Sequence, residues 1–321
     1  MARPLKAYRL GAVLFFLALI GCEQKGPSVA TPPPLQKWGY VIPESFLASD
    51  IENRLAAYDV LCIGVYRLNA KGELFKTPSL STGQLQMLAR LQKKRPLYPL
   101  ISLRNAREGA RMLDDPITAK KAAAALITLL KREGYDGLHI DFEYLTGRHS
   151  KAFGAFLRML KEDPAMRKKT LSIAAFPPLH GKPEEAAFYD LTVLAPIVDE
   201  IVYMTYDYHV QKPGPVTHLY WVRENLDIVR KSFPMKKVWL GVPSYGYEWK
   251  GPGRPRAVSE AEGHRQCAKF GCERHDSGML RVKREDRTVY FSDAELRQNM
   301  ATIAAQYQTL GTATWRVGFE Q

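Results

Sequence analysis

Short apolar runs alternate with helical patterns along most of the chain from residue 37 onward. The runs are four to seven residues long and rich in Val, Ile, Leu, Tyr and Phe, which predicts buried strands. Longer stretches between them repeat apolar residues every three or four positions, which predicts helices, for example at 120–133, 218–233 and 293–307. The eight predicted strands are 38–42, 60–66, 97–103, 138–142, 171–176, 201–205, 238–242 and 312–315.

Eight strand–helix pairs in about 285 residues predict an α/β fold, the (β/α)8 TIM barrel, for which about 250 residues is typical. A doubly wound open sheet is the alternative, but no glycine-rich phosphate loop follows any predicted strand. About 70 residues separate the seventh and eighth strands, so we expect a small insertion there, at about 250–291. Cys267 and Cys272 lie within it, close enough in sequence to form a disulfide in an oxidising compartment.

The N-terminal residues have the pattern of an export signal. Three basic residues precede an apolar run at 10–20, which is too short to span a bilayer but fits the hydrophobic region of a signal peptide. The run ends in Leu-Ile-Gly-Cys, which resembles a bacterial lipobox, the motif whose cysteine is lipidated after cleavage. The resemblance implies a lipoprotein signal peptide at 1–21 and a lipid on Cys22; an ordinary secretory signal is the alternative.

The residues after this cysteine predict a tether. Residues 22–36 are rich in proline and small side chains, as expected of an extended segment, so the folded domain is expected at 37–321. We therefore expect an extracytoplasmic, monomeric protein of the bacterial cell envelope, held at a membrane through the lipid on Cys22. The sequence leaves open which membrane holds the anchor.

The composition is that of an ordinary globular protein, with 46% hydrophobic and 25% charged residues. It excludes a disordered chain, a collagen-like fibre and a small disulfide scaffold. The 46 Lys and Arg outnumber the 33 Asp and Glu, giving a formal net charge of +13, which favours an anionic neighbourhood such as phospholipid headgroups or acidic envelope polymers. We expect no nucleic-acid partner, because the chain has an export signal and no zinc-finger or RNA-binding motif.

Three ionisable residues alternate along the fourth predicted strand. His139, Asp141 and Glu143 are two positions apart, so all three would face the barrel interior near the carboxyl end of the strand, where barrel enzymes carry their chemistry. Two carboxylates this close repel when both are ionised, so one pKa should rise and leave a proton donor at neutral pH. A structural ion-pair network is the alternative. No cluster has zinc-ligand spacing, so we expect no metal or cofactor.

The residues around this strand resemble glycoside hydrolase family 18. Residues 136–143, Asp-Gly-Leu-His-Ile-Asp-Phe-Glu, look like the family signature DGxDxDxE. Residues 203–207 resemble the motif that follows the sixth strand, 240–246 resemble that of the seventh, and Trp315 resembles the tryptophan of the eighth. Within the family, the chain looks like the spore-germination and cortex-fragment branch of bacterial N-acetylglucosaminidases.

The resemblance implies a catalytic set of three residues. Glu143 matches the general acid and base, Asp141 the carboxylate that orients and charge-stabilises the substrate acetamide, and Tyr206 the phenol that binds the acetamide oxygen. The implied reaction needs no protein nucleophile, because the substrate acetamide attacks the anomeric carbon and the configuration is retained.

The resemblance also implies substrate-binding residues. Asp207 matches a sugar-binding carboxylate, Trp315 the platform beneath the sugar, and Asp136 a mainly structural position of the signature. Tyr40 on the first strand and Tyr245 after the seventh are further candidates for lining the sugar site, because aromatic rings commonly contact sugars.

His139 departs from the family signature, which has Asp at this position. We expect its imidazole to pair with Asp141, to lower the pKa of that carboxyl, and so to change the acid limb of the pH–rate profile without abolishing activity. The alternative is that His139 merely fills the barrel interior.

The resemblance thus implies a glycoside hydrolase that cleaves β-1,4 bonds in glycans containing N-acetylglucosamine. Peptidoglycan or its fragments are the favoured substrate and chitin oligosaccharides the next; N-glycans of glycoproteins stay open as a third. The alternative is a chitinase-like lipoprotein that binds glycans without cleaving them; retention of Glu143 favours the enzyme. The choice between endo and exo cleavage stays open.

Overall fold

The computed structural model describes Met1 and residues 34–76, 80–251 and 253–320. Apart from Met1, the predicted signal peptide lies outside the described residues, as do Cys22 and nearly all of the tether. Residues 35–321 form one compact unit. Within the described ranges, the helices are too short or too polar for any of them to cross a bilayer.

Eight parallel strands close into a barrel, which confirms the predicted fold. Every predicted strand is present, and the first strand pairs in parallel with both the second and the last, so the sheet has no open edge in the barrel. The barrel strands are β1, β2, β4, β5, β6, β7, β8 and β14. The strands are β1 (Gln36–Val41), β2 (Val60–Leu68), β3 (Leu74–Lys76), β4 (Leu97–Leu103), β5 (Gly137–Phe142), β6 (Thr170–Ala175), β7 (Glu200–Tyr203), β8 (Val238–Pro243), β9 (Tyr245–Trp249), β10 (Arg256–Ser259), β11 (Glu273–Arg274), β12 (Leu280–Lys283), β13 (Thr288–Phe291) and β14 (Gly311–Trp315).

Helices cover the outside of the barrel. Their apolar faces pack on the outward side chains of the strands and form the larger of the hydrophobic cores. The helices are α1 (Ile51–Ala56), α2 (Thr82–Gln92), α3 (Ala106–Asp114), α4 (Pro116–Glu133), α5 (Ser150–Glu162), α6 (Pro183–Ala186), α7 (Leu191–Leu194), α8 (Leu219–Val229), α9 (Glu260–Phe270) and α10 (Ala294–Gln306).

The helix α4 shows how local sequence sets an element's limits. The Asp115 side chain accepts hydrogen bonds from the amides of Ile117 and Thr118, and Pro116 occupies the first helical position, where its missing N–H costs nothing. The helix ends at Gly134, which adopts a left-handed φ of 70°. The periodicity predicted a start at residue 120; the cap starts the helix four residues earlier.

The barrel interior is filled mainly by aromatic rings. Strands β4, β5 and β8 are buried at every position, because one face packs inside the barrel and the other under helices. The interior cluster consists of Trp38, Tyr40, Val60, Cys62, Tyr98, Leu100, Val202, Trp239 and Ala313. These buried side chains fill the barrel below its catalytic end.

The insertion between the last two barrel strands is a small domain-like layer. Strands β9 to β13 form a five-stranded antiparallel sheet in the order β10-β9-β13-β12-β11, with α9 packed on it. The sheet begins at Tyr245, five residues before the predicted boundary. Cys267 and Cys272 form the expected disulfide across the end of α9.

Candidate active site

A cavity of about 930 Å³ opens at the carboxyl ends of the barrel strands. Its floor carries the two carboxylates that the alternation predicted, Asp141 on β5 and Glu143 just after it. The loops that follow β6 and β7 and part of the insertion form its walls. Its lining includes Tyr40, Arg104, Asp141, Glu143, Tyr144, Phe176, His180, Lys182, Glu185, Tyr206, Asp207, Tyr208, Lys212, Trp221, Tyr247, Arg254 and Trp315.

Glu143 has the environment of a proton donor. Its side chain is only 6% exposed, and its amide donates to the carbonyl of Leu103, which holds the residue against the neighbouring strand. Burial and the nearby Asp141 carboxylate raise the pKa of Glu143 to about 8, although Arg104 acts in the opposite direction. At neutral pH the carboxyl therefore retains its proton, as a general acid requires.

Asp141 lies deeper on the same face of β5. Burial raises its pKa to about 6, with Arg104 opposing the rise. One carboxylate oxygen, Oδ1, is buried and has no hydrogen-bond partner among the described residues. A buried acceptor of this kind is costly unless a ligand donor satisfies it, so the atom indicates a binding position for an N–H or O–H group.

His139 does not pair with Asp141, so the prediction made for it was wrong. The two ring nitrogens are engaged elsewhere: Nε2 lies 2.9 Å from the Tyr40 hydroxyl and Nδ1 lies 3.0 Å from the Ser172 hydroxyl. Burial lowers the pKa of His139 to about 3, and the pKa of Asp141 is raised instead of lowered. The imidazole is neutral and fills the barrel interior beside the Trp38 ring.

This environment predicts an effect of His139 on stability. Between pH 6.5 and about 3 the unfolded chain protonates this histidine and the native state does not. Native stability should therefore fall as pH drops through this window, by at most about 1.4 kcal/mol per pH unit. Urea unfolding from pH 7 to 4 should show a shallower pH dependence in His139→Gln than in the wild type; equal slopes would contradict the assignment.

Tyr206 and Asp207 enter the site from the end of β7. Burial and the neighbouring carboxylates raise the pKa of Tyr206 well above its ordinary value, so its hydroxyl stays a hydrogen-bond donor. Its ring packs over Gly241, where a Cβ would lie 2.3 Å from the Tyr203 carbonyl and 3.0 Å from the Tyr206 ring. The sequence motif on β8 thus needs glycine there to admit the phenol.

Asp207 is held by two phenols of the insertion. The hydroxyls of Tyr245 and Tyr247 both donate to its Oδ1, that of Tyr247 at 2.8 Å. Its backbone adopts a left-handed φ of 59°, a conformation that Asp tolerates better than most residues. Asp207 also lines the cavity, so its carboxylate is held in place where a ligand could contact it.

The aromatic candidates divide into two groups. Trp315 is half-buried and lines the cavity, with its ring 5.2 Å from that of Tyr40. Tyr40 also lines the cavity, while its hydroxyl is hydrogen bonded to His139. Tyr245 does not line it: the side chain is buried behind Asp207, so its expected contact with sugar is corrected to a role in holding that carboxylate.

Asp136 lies away from the cavity. Its Oδ2 accepts a hydrogen bond of 3.0 Å from the Leu97 amide, which ties the start of β5 to β4. Among the described residues, no group of His, Cys, Asp and Glu is arranged to hold a metal ion.

The sequence interpretation missed Arg104 and Tyr247. Arg104 follows β4, and its Nε lies 2.8 Å from Glu143 Oε1. The rule that barrel sites gather at strand carboxyl ends could have drawn attention to it. Tyr247 lies two residues beyond Tyr245 on the same face of β9, and its ring lines the cavity.

An acid with a raised pKa, a second carboxylate beside it and an aromatic-lined cleft in a (β/α)8 barrel together define a glycoside hydrolase. Residues 38–319 match the model of glycosyl hydrolases family 18, and the chain belongs to that family.

Curated relatives lie in the same family. The chain is 23% identical over 302 residues to a Bacillus subtilis protein named as the sporulation-specific glycosylase YdhD, covering 87% of this chain and 70% of that one. It is 25% identical over 229 residues to the cortical fragment-lytic enzyme of the same organism, covering 65% and 53%. The chain thus spans between about half and 70% of the length of these relatives.

Solved structures share the fold. The spore cortex-lytic enzyme SleL of Bacillus megaterium superposes with a TM-score of 0.78 at 21% identity, covering 90% of this chain and 72% of that one. A chitinase from Chromobacterium violaceum gives 0.77 at 20% identity, covering 89% and 95%. At these identities, the two similarities show that the chain shares the barrel fold of these proteins.

Proposed function

We propose that the chain cleaves β-1,4 bonds in glycans containing N-acetylglucosamine, with retention of configuration and with Glu143 as general acid and base. The observation that carries the proposal is the pair of buried carboxylates on β5, one with a raised pKa and the other with an unsatisfied oxygen. A pair with these different environments divides the acid and the stabilising roles between its members.

The proposed reaction uses the substrate's own nucleophile. The acetamide oxygen of the sugar attacks its anomeric carbon while Glu143 protonates the departing glycosidic oxygen, and a cyclic oxazolinium ion forms. Glu143, now ionised, removes a proton from water as the water opens the ring at the same carbon. Two displacements on one carbon return the original anomeric configuration.

The other cavity residues fit the acetamide. The N–H of the acetamide would supply the donor that Asp141 Oδ1 lacks, and the negative charge of Asp141 would stabilise the positive oxazolinium nitrogen. Tyr206, protonated and lining the same cavity, would donate to the acetamide oxygen. Trp315 would supply the apolar surface beneath the sugar ring.

Peptidoglycan or its fragments are the proposed substrate, and chitin oligosaccharides are the next choice. Support comes from the expected export to the cell envelope and from relatives named as cortical fragment-lytic enzymes. The glycan-binding alternative has less support, because both carboxylates and the phenol are retained in one cavity.

The test is an analysis of products. The full chain, purified in detergent, would be incubated with peptidoglycan glycan strands and separately with chitooligosaccharides. Mass spectrometry should show new N-acetylglucosamine reducing ends, and NMR should show the β-anomer first. An α-anomer appearing first would contradict retention, and binding of both glycans without any product would support the non-catalytic alternative.

We also propose that Cys22 carries a lipid that holds the barrel at an envelope membrane. The support is the lipobox-like sequence and the proline-rich residues behind it. Cells fed a labelled fatty acid should label the wild-type chain and not Cys22→Ser. Equal labelling of the two would reject the anchor while leaving the enzymatic proposal unaffected.

A further inference from the structure

Arg104 forms an ion pair with the proposed acid that works against its chemistry. The guanidinium Nε lies 2.8 Å from Glu143 Oε1, and this contact favours the ionised carboxylate. Glu143 must be protonated to donate to a glycosidic oxygen. Burial and Asp141 keep Glu143 protonated despite this contact, so the contact does not itself serve proton transfer, and Arg104 lines the cavity where a ligand can reach it.

The two ends of this ion pair differ in exposure. Glu143 is 6% exposed, whereas the Arg104 side chain is 53% exposed and lines the cavity. Arg104 follows β4 immediately, so its backbone is fixed while its long side chain can turn toward the open cleft. A guanidinium has five N–H donors in a planar fork that matches the two oxygens of a carboxylate or a phosphate, and carboxylates are the anions that envelope glycans carry.

The position of Arg104 identifies the part of the substrate that it would meet. Glu143 protonates the glycosidic oxygen, which leaves with the sugar on the leaving-group side. A guanidinium in contact with the Glu143 carboxyl is therefore near that sugar. Lys212 and Arg254, both exposed, line the same cavity and add to its positive charge.

We propose that Arg104 is a specificity-determining residue that binds a carboxylate on the leaving-group sugar and releases Glu143 from the ion pair as it does so. The inference rests on the proposed function and names a substrate feature, an ether-linked carboxylate such as that of N-acetylmuramic acid. An anionic glycan thus draws away the cation that opposes protonation of Glu143, whereas a neutral glycan leaves that cation in contact with it.

The charged and titratable groups around Glu143 determine how its pKa changes when Arg104 moves away. Removing Arg104 from contact leaves burial and Asp141 to favour the protonated acid, so the alkaline limb of the pH–rate profile moves to higher pH. The groups that face the Glu143 carboxyl are Asp141, Arg104, Tyr144, Tyr189, Tyr206 and Asp207.

The experiment compares three substrates with the full chain. They are neutral N-acetylglucosamine oligomers, strands alternating N-acetylglucosamine and N-acetylmuramic acid, and the same strands with their carboxylates amidated. In Arg104→Gln, kcat/KM on the carboxylate strands should fall by about tenfold to a hundredfold, mainly through KM. On neutral oligomers kcat/KM should hold or rise, and the alkaline limb should move to higher pH.

Controls separate this role from a structural one. Arg107→Gln, an exposed arginine in the first turn of α3, should match the wild type on all three substrates. Arg104→Lys should recover part of the carboxylate preference. An equal loss on all substrates in Arg104→Gln, or no preference of the wild type for carboxylate over amide, would overturn the inference. If the wild type cleaves none of them, the proposed function itself fails.

Discussion

The Glu143→Gln variant is expected to lose about 10²- to 10⁴-fold in kcat on glycans containing N-acetylglucosamine, with little change in KM. Gln has nearly the shape of the protonated acid but cannot give up a proton, so substrate binding persists while protonation of the leaving oxygen stops. The measurement is steady-state release of reducing ends, together with calorimetric binding of the same oligosaccharide to both proteins.

Glu185→Gln is the matched control for this variant. Glu185 is a buried glutamate that lines the same cavity, but it pairs with Lys182 and belongs to α6. It should keep most of the wild-type kcat. A Glu143→Gln protein that remains fully active would remove Glu143 as the acid, and equal losses in the two variants would point to general damage of the cleft.

Asp141→Asn should produce the second large effect, a fall of about 10²- to 10³-fold in kcat. The amide removes the negative charge that would face the oxazolinium nitrogen. It also removes a like charge beside Glu143, so the pKa of Glu143 should fall. Because the acid works only when protonated, the alkaline limb of the residual pH–rate profile should move to lower pH.

A shift of the alkaline limb to lower pH distinguishes the electrostatic role of Asp141 from a loss of folding. Asp136→Asn is the control, since an Asn oxygen can still accept the hydrogen bond from the Leu97 amide and the residue lies outside the cavity. It should leave both kcat and the pH limb near the wild-type values. An alkaline limb that stays fixed in Asp141→Asn would contradict the electrostatic coupling of the two carboxylates.

The barrel was predictable because its strands have one simple property. Parallel strands buried on both faces appear in sequence as short apolar runs, so all eight could be found without knowledge of their partners. The carboxylates were equally visible, since alternation puts Asp141 and Glu143 on one face whatever the rest of the chain does.

The contacts between strands were not predictable from either strand alone. The register of β5 with β6 places His139 opposite Ser172, and that neighbour, with Tyr40 from β1, takes the imidazole away from Asp141. The ion pair of Arg104 depends likewise on the register of β4 with β5. Periodicity fixes which face a side chain occupies but carries no information on which residue lies opposite.

Tyr245 was misplaced for a related reason. It follows the seventh barrel strand so closely that it resembled a residue of the barrel mouth, whereas it begins the first strand of the antiparallel insertion. Its side chain is buried against Asp207, and Tyr247, two residues further along the same face of β9, lines the cavity instead.

The hydrogen bonds from Tyr245 and Tyr247 to Asp207 connect the inserted sheet to the barrel, and the two parts can change separately in evolution. The two carboxylates proposed for catalysis, Asp141 and Glu143, lie on β5 and directly after it. One wall of the cleft belongs to the inserted sheet, whose two tyrosines hold Asp207. Mutations in the rest of that sheet can reshape the wall without moving the acid. New glycan preferences can therefore arise by remodelling the insertion, provided that its two tyrosines are kept.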